Sequence, residues 1–380
     1  MDESFYFDYA AATPLDVRVL AAMQPYFSEK FYNPSATYAP AQSVRADLEN
    51  ARARVAHWLG TRPSEIVFTA GSTEANNLAI RGVMQRFPSA KMVVSALEHE
   101  SVLHTAREFA YVEAGVSAEG IVNVDKLVAL VDDETVLVSV LYASNEIGTV
   151  QPIRQLGQAL ASIREDRRKR GLTLPLYLHT DAAQAAGFLD LHVSRLGVDL
   201  LTLNAGKIYG PKGSGALFIA GNVRLKVQAS GGGQERGLRS GTENVAGAVG
   251  LAEALDLAQS NRHEESERLQ TLQQFFFAQV EEKLPEAIIN GSRKLRLPNN
   301  VHFTLPGQDN ERLMFALAEQ NIFCATGSAC SASNDEPSHV LDALGLSTEA
   351  AQASLRFTLG RATTRESIQK AVATLKSLTS

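Results

Sequence analysis

A chain of 380 residues, 45% of them hydrophobic and 21% charged, can bury a sizeable core and predicts two domains. Its formal net charge of −6 leaves no basic excess for a nucleic-acid surface, and two cysteines, Cys324 and Cys330, are too few for a disulfide framework and point to a reducing compartment. The start M-D-E-S-F-Y-F-D has neither a basic nor an apolar signal region, and no apolar run approaches a membrane span, so a cytoplasmic protein without a membrane partner is expected.

The first 13 residues read as extended and 16–27 as a helix, after which Asn33-Pro34-Ser35 breaks the pattern. A long helix is expected over 43–59, with Val44, Leu48, Val55 and Leu59 on one side and His57 and Trp58 as packing residues. Strand 66–69 then runs into Ala70-Gly71-Ser72-Thr73-Glu74 and a helix from Ala75 to Met84. A strand, a small-residue turn and a helix start make an anion site, because free N–H groups and the helix dipole face the ligand, so Ser72 and Thr73 are candidate phosphate binders.

Strand 92–96 leads to Glu98-His99-Glu100 and a helix. His99 and His104 stand five apart, not four, which turns them away from each other on a helix and argues against zinc; no metal site is expected. Strand 136–141, the turn Ser144-Asn145-Glu146-Ile147-Gly148 and helix 153–168 follow, the basic run 164–170 reading as a solvated helix face. The apolar run 174–178 then enters H-T-D-A-A-Q-A-A-G, and strand 200–203 enters a Gly-rich turn carrying Lys207 before an apolar strand over 216–219. A P-loop is excluded, since its first Gly and its Ser or Thr would fall on Leu201 and Ile208. An Asp at one strand end, a Gln, and a lysine at the next strand end supply three parts of a pyridoxal phosphate site: Asp181 to keep the pyridine nitrogen protonated, Gln184 for the phenolic oxygen and Lys207 for the Schiff base. This alternation of strands and helices predicts a doubly wound, mostly parallel sheet with ligands at the strand carboxyl ends.

Beyond the Gly-rich stretch 231–242, one long polar-faced helix is expected from about Glu243 to Leu284, leading to a smaller α/β unit with strands over 300–304 and 354–359, a helix over 310–320 and a final helix from Thr364. The chain shows no low-complexity linker and no internal repeat. Cys330 lies among Gly, Ser and Ala, a composition that predicts an exposed, mobile thiol, whereas Cys324 follows Ile322 and Phe323 and reads as a small core residue.

The strings D-Y-A-A-A-T-P, Y-N-P-S-A, F-T-A-G-S-T-E-A-N-N, E-H-E, S-N-E-I-G, H-T-D-A-A-Q, K-I-Y-G-P-K-G, G-G-G-Q-E-R-G-L-R-S-G-T, A-T-G-S-A-C-S-A and L-R-F-T-L-G-R, in this order from Tyr6 to beyond Arg361, resemble the NifS/IscS-like cysteine desulfurases of the class V, fold-type I pyridoxal phosphate enzymes. The resemblance implies a seven-stranded sheet in a large domain (14–255) and a small domain (1–13 with 256–380) that carries the Cys330 loop. It implies pyridoxal 5′-phosphate held by Ser72, Thr73, His99, Asn145, Asp181, Gln184, Asn204 and Lys207, with Thr242 reaching the cofactor of the second subunit in a homodimer. It further implies His99 stacked on the ring and shuttling protons, Asn33, Asn145 and Arg356 on the substrate, and Lys207, His99 and Cys330 as the catalytic set. L-Cysteine would become L-alanine, and its sulfur would pass as a Cys330 persulfide to acceptors such as an iron–sulfur scaffold protein or a tRNA-thiolation enzyme. The long segment after Cys330 resembles the NifS/IscS branch more than the SufS-like one, which implies direct delivery to several acceptors. One departure stands out: Asn204 and Gly206 occupy positions where the family usually has Ser and His, both phosphate contacts. A lyase acting on selenocysteine or cysteine sulfinate, a class V aminotransferase and an inactive scaffold dimer are the competing readings.

Overall fold

The computed structural model describes residues 5–327 and 338–379. Seven strands form the main sheet: β1 (Ile66–Thr69), β2 (Lys91–Ser95), β3 (Tyr111–Ala114), β4 (Thr135–Ser139), β5 (Tyr177–Asp181), β6 (Leu200–Asn204) and β7 (Gly215–Ile219), in the spatial order β1-β7-β6-β5-β4-β2-β3. Only β7 runs against its neighbours, so the expected mainly parallel, seven-stranded sheet is present. Strands β4 and β7 are buried along their whole length and read as near-continuous apolar runs, whereas β5, equally buried, ends in His179, Thr180 and Asp181.

Helices cover both faces. Leu201 and Leu203 of β6 share one core with Leu48 and Val55 of the Ala39–Leu59 helix and Leu251 and Leu255 of the Val245–Ser260 helix, while Leu200 and Leu217 share another with Leu78 and Ile80 of the Ser72–Met84 helix. Each such leucine contributes roughly 1.5–3 kcal/mol when fully buried. A three-stranded antiparallel sheet of β8 (Ile288–Ile289), β9 (Asn300–Thr304) and β10 (Ser354–Thr358), ordered β10-β9-β8, forms a second unit with the Arg262–Lys283, Asn310–Glu319 and Arg365–Thr379 helices. The amino-terminal segment joins it: Phe7 packs edge-on against Phe276 and Phe357, and its N–H donates to the Phe323 carbonyl at 2.7 Å.

Two expectations need correction. The single helix over 243–284 is two helices, Val245–Ser260 and Arg262–Lys283, separated at Asn261 (φ −97°, ψ 5°). The first of them is buried on most sides rather than polar-faced, because its small Ala and Gly residues pack between the Ala39–Leu59 and Val17–Met23 helices. The second omission is β3, an edge strand only four residues long and largely exposed, whose sequence carries no apolar run. Among the described residues no helix is long and apolar enough to cross a membrane.

Candidate active site

The carboxyl ends of β4, β5 and β6 carry five of the residues singled out from the sequence: Asn145, Asp181, Gln184, Asn204 and Lys207. Asp181 closes β5 and is 8% exposed. Its Oδ1 accepts the Ala183 N–H at 2.9 Å and its Oδ2 accepts Asn76 Nδ2 at 2.7 Å, so the carboxylate is oriented from two sides. Asn76 also donates to Ser101 Oγ at 2.9 Å, and Ser101 Oγ lies 2.8 Å from His99 Nδ1. The Ser101 N–H donates to the same Nδ1 at 3.0 Å, so a neutral His99 carries its proton on Nε2. Asp181 and His99 are thus joined by Asn76 and Ser101, which the sequence reading missed. Their signal was spacing: Asn76 falls four residues after Ser72 on a helix, hence on the same face.

Lys207 sits in the turn after β6, where its Nζ donates to the Ala10 and Ala11 carbonyls at 2.8 and 2.6 Å. Gln184 Nε2 donates to the same Ala10 carbonyl at 3.0 Å, which makes the two side chains neighbours. Beside them lies a cleft of about 200 Å³ lined by Gly71, Ser72, Thr73, Asn204, Gly206, Lys207 and Lys212 among others. Gly71, whose φ of 137° favours glycine, precedes the Ser72–Met84 helix, and a Cβ on Gly215 would come within 2.7 Å of the Gly71 Cα, so glycine at 215 lets the two backbones approach beside the cleft. Asn204 accepts the Gly206 N–H and donates to Ser72 Oγ, each at 2.9 Å. A helix start, hydroxyls, open amides and two lysines are the donor set that a phosphate requires.

Arg356 on β10 is 1% exposed; its Nη2 lies 2.6 Å from Asp8 Oδ1 and its Nη1 donates to the Asn145 carbonyl at 3.1 Å. Arg356 and Asn145 therefore meet, through backbone on the Asn145 side, and the buried Arg356 Nε has no partner among the described residues. Asn33 is exposed, its Oδ1 accepting the Ser35 N–H, and the described contacts do not bring it to Lys207. Thr242 is also exposed, at the end of a stretch tied down earlier by the buried Arg52–Glu235 pair at 2.7 Å and by Arg239–Glu74 at 2.9 Å. Cys330 lies outside the described residues. Cys324 is buried as expected, and that burial pushes its thiol up to about 12. Trp58 packs edge-on against His57 and donates Nε1 to Asp256, a structural role for both.

The model of the class-V aminotransferases matches residues 5–371. The chain belongs to the class-V aminotransferase family. Among its class-V relatives, the cysteine desulfurase IscS of Clostridium botulinum (strain Hall) is 40% identical over 97% of this chain and 92% of its own length, and the human cysteine desulfurase is 39% identical over 97% and 80%. A solved NifS-like protein superposes with a TM-score of 0.89 at 31% identity, covering 98% of both chains. The class-V cofactor is pyridoxal phosphate, and the residues at the strand ends fit it: Lys207 for its carbonyl carbon, Asp181 for its ring nitrogen, Gln184 beside Lys207, and the cleft for its phosphate.

Behind this class-V site runs a buried polar chain. Glu98 accepts the Leu141 N–H at 2.5 Å and lies 3.4 Å from Ser139 Oγ, which is 2.9 Å from His179 Nδ1, and His179 Nε2 lies 3.1 Å from Thr202 Oγ1. Burial, reinforced by the nearby Asp181 charge, pushes the Glu98 carboxyl up to about 8, and burial pushes His179 down to about 4. At neutral pH both are mainly uncharged, so the chain behind the strand ends is a neutral hydrogen-bonded one.

Proposed function

We propose that this chain is a pyridoxal-phosphate-dependent cysteine desulfurase. The observation that carries the proposal is the meeting of Lys207, Gln184 and Asp181 at adjacent strand ends in a chain 40% identical, over nearly its whole length, to a cysteine desulfurase. A solved relative at 34% identity and a TM-score of 0.79 is described as "SspA in complex with cysteine", which favours the same substrate here.

The bound cofactor would supply an electron sink next to the substrate's α-carbon. Around it, Lys207 Nζ takes the α-proton, Asp181 holds a proton on the ring nitrogen, and His99 Nε2–H serves as a donor beside the ring. Arg356, held in place by the Asn145 carbonyl, receives the substrate carboxylate by exchanging its Asp8 contact or using its unpaired Nε. The Cys330 thiolate attacks the substrate sulfur; the Cβ–Sγ bond breaks, sulfur leaves as the Cys330 persulfide, and proton return to carbon gives L-alanine, so that cysteine plus thiol equals alanine plus persulfide. In this reading residues 14–255 hold the cofactor, 1–13 with 256–380 bring Cys330 to it, and Thr242 serves the second subunit of a homodimer. Sulfur then passes to an iron–sulfur scaffold or a tRNA-thiolation enzyme in the cytoplasm.

The test is to incubate the cofactor-loaded protein with L-cysteine and dithiothreitol and to measure alanine and sulfide together. Equal yields of the two are expected. A yellow protein that releases pyruvate, or that leaves cysteine untouched while converting cysteine sulfinate, overturns the proposal.

A further inference from the structure

A phosphate dianion in a cleft needs cationic charge as well as N–H donors, and two lysines line the cleft here, Lys207 and Lys212. Under the proposed function Lys207 is committed to the cofactor's carbonyl carbon. Asn204 is committed too: its Oδ1 takes the Gly206 N–H, and its Nδ2 donates to Ser72 Oγ, which leaves the Ser72 hydroxyl hydrogen free to donate elsewhere. Gly206 offers a backbone amide already used by Asn204 and no side chain at all. The charge must come from another residue.

The Lys212 stem flanks the space that Gly206 leaves open, with Asn204 Oδ1 closer still, 3.4 Å from where a Cβ would stand. A Cβ built on Gly206 would lie 3.7 Å from Lys212 Cγ and 3.8 Å from its Cα. Lys212 Nζ donates to the Thr13 carbonyl, and Thr13 in turn holds the Gly206 carbonyl through both its N–H and its Oγ1, so the ammonium sits at the turn that shapes the cleft. Among the described residues no carboxylate pairs with Lys212, and partial burial without a counter-charge makes its proton easier to lose. A lysine stem against a bare glycine, an ammonium resting on a carbonyl and an adjoining cleft of amides and hydroxyls together describe an anion contact.

We propose that Lys212 is the side-chain cation for the cofactor's phosphate, acting from the space left open by Gly206. This rests on the pyridoxal phosphate reading and deepens it. A flexible ammonium binds phosphate as a point charge and needs no fork geometry, and because Lys212 already lines the cleft it can exchange the Thr13 carbonyl for a phosphate oxygen.

The experiment compares two ligands that differ only in the phosphate. Apo-protein is titrated with pyridoxal phosphate and with pyridoxal, following the visible absorbance of the complex, for wild type, Lys212→Met and Lys212→Arg. Loss of one charge-assisted hydrogen bond should weaken pyridoxal phosphate by about ten- to a hundredfold in Lys212→Met while leaving pyridoxal within about twofold. Lys212→Arg should recover most of the difference, and inorganic phosphate should compete less well in Lys212→Met than in wild type. Lys212→Gln repeats the comparison with a polar side chain should the Met variant fold poorly. Equal weakening of both ligands, or of neither, overturns the assignment. A wild-type protein that binds neither overturns the cofactor reading itself, and this inference with it.

Discussion

The two cysteines are predicted to differ in reactivity by on the order of a thousandfold, and that difference decides which of them can carry sulfur. Cys324 is 8% exposed among Phe7, Ile322 and Phe357 in the core of the smaller unit, and burial, with the Asp8 carboxylate adding to it and Arg356 opposing, pushes its thiol up to about 12. At pH 8 the thiolate fraction of such a group is ~10⁻⁴, against roughly 0.2 for an exposed thiol near 8.5. The perturbation is Cys324→Ala, which removes the sulfur without adding a polar atom to that core and should cost about 1 kcal/mol of stability. The assay treats the native protein with iodoacetamide at pH 8 and follows each cysteine peptide by mass, then repeats the treatment after incubation with L-cysteine. Cys330 should react fast and carry the extra sulfur, Cys324 should react only on unfolding, and Cys324→Ala should keep full alanine production. Comparable labelling of both thiols in the native protein would refute the reasoning from burial. Persulfide on Cys324 in a Cys330→Ser protein at undiminished rate would refute the assignment of Cys330.

Four further predictions concern the site and its supports. Lys207→Ala should abolish turnover, with borohydride fixing the cofactor to Lys207 in wild type, and a reduced adduct on Lys212 instead would reverse the roles of the two lysines; Asp181→Ala should slow deuterium entry at the substrate's α-carbon even with cofactor bound, and unchanged exchange would sink its role at the ring nitrogen. Because folded Glu98 keeps its proton up to about pH 8 while the unfolded chain loses it near 4.5, the folded state binds the extra proton between those values and stability falls as pH rises through that window, levelling off above it. Glu98→Gln should flatten this trend in a melting series from pH 5 to 8, and an unchanged slope would exclude Glu98 as its source. Glu235→Ala leaves the buried Arg52 guanidinium with the more exposed Glu49 as its carboxylate partner and removes the acceptor of the Phe68 N–H, so denaturant titration should show a loss of about 2–4 kcal/mol, and a loss under 1 kcal/mol would mean that Glu49 and water replace Glu235.

Sequence alone determined those features whose information is local. The strand at 66–69 matches β1 and that at 300–304 matches β9 because a short apolar run between turn residues needs no partner to be recognised, and Lys207, Asp181 and Cys324 were placed by their immediate neighbours. The exposed edge strand β3 and the break at Asn261 escaped for the converse reason: one lacks an apolar run, and the other occurs without Gly or Pro. Only the tertiary structure decided who meets whom. Asn76 reaches Asp181 across 105 residues, Lys207 finds the Ala10 carbonyl 197 residues away, and Arg356 closes on Asp8 across 348. Such contacts depend on which strands become neighbours in the sheet, and that order is set by burying both of its faces at once, a property of the whole chain that no local window contains.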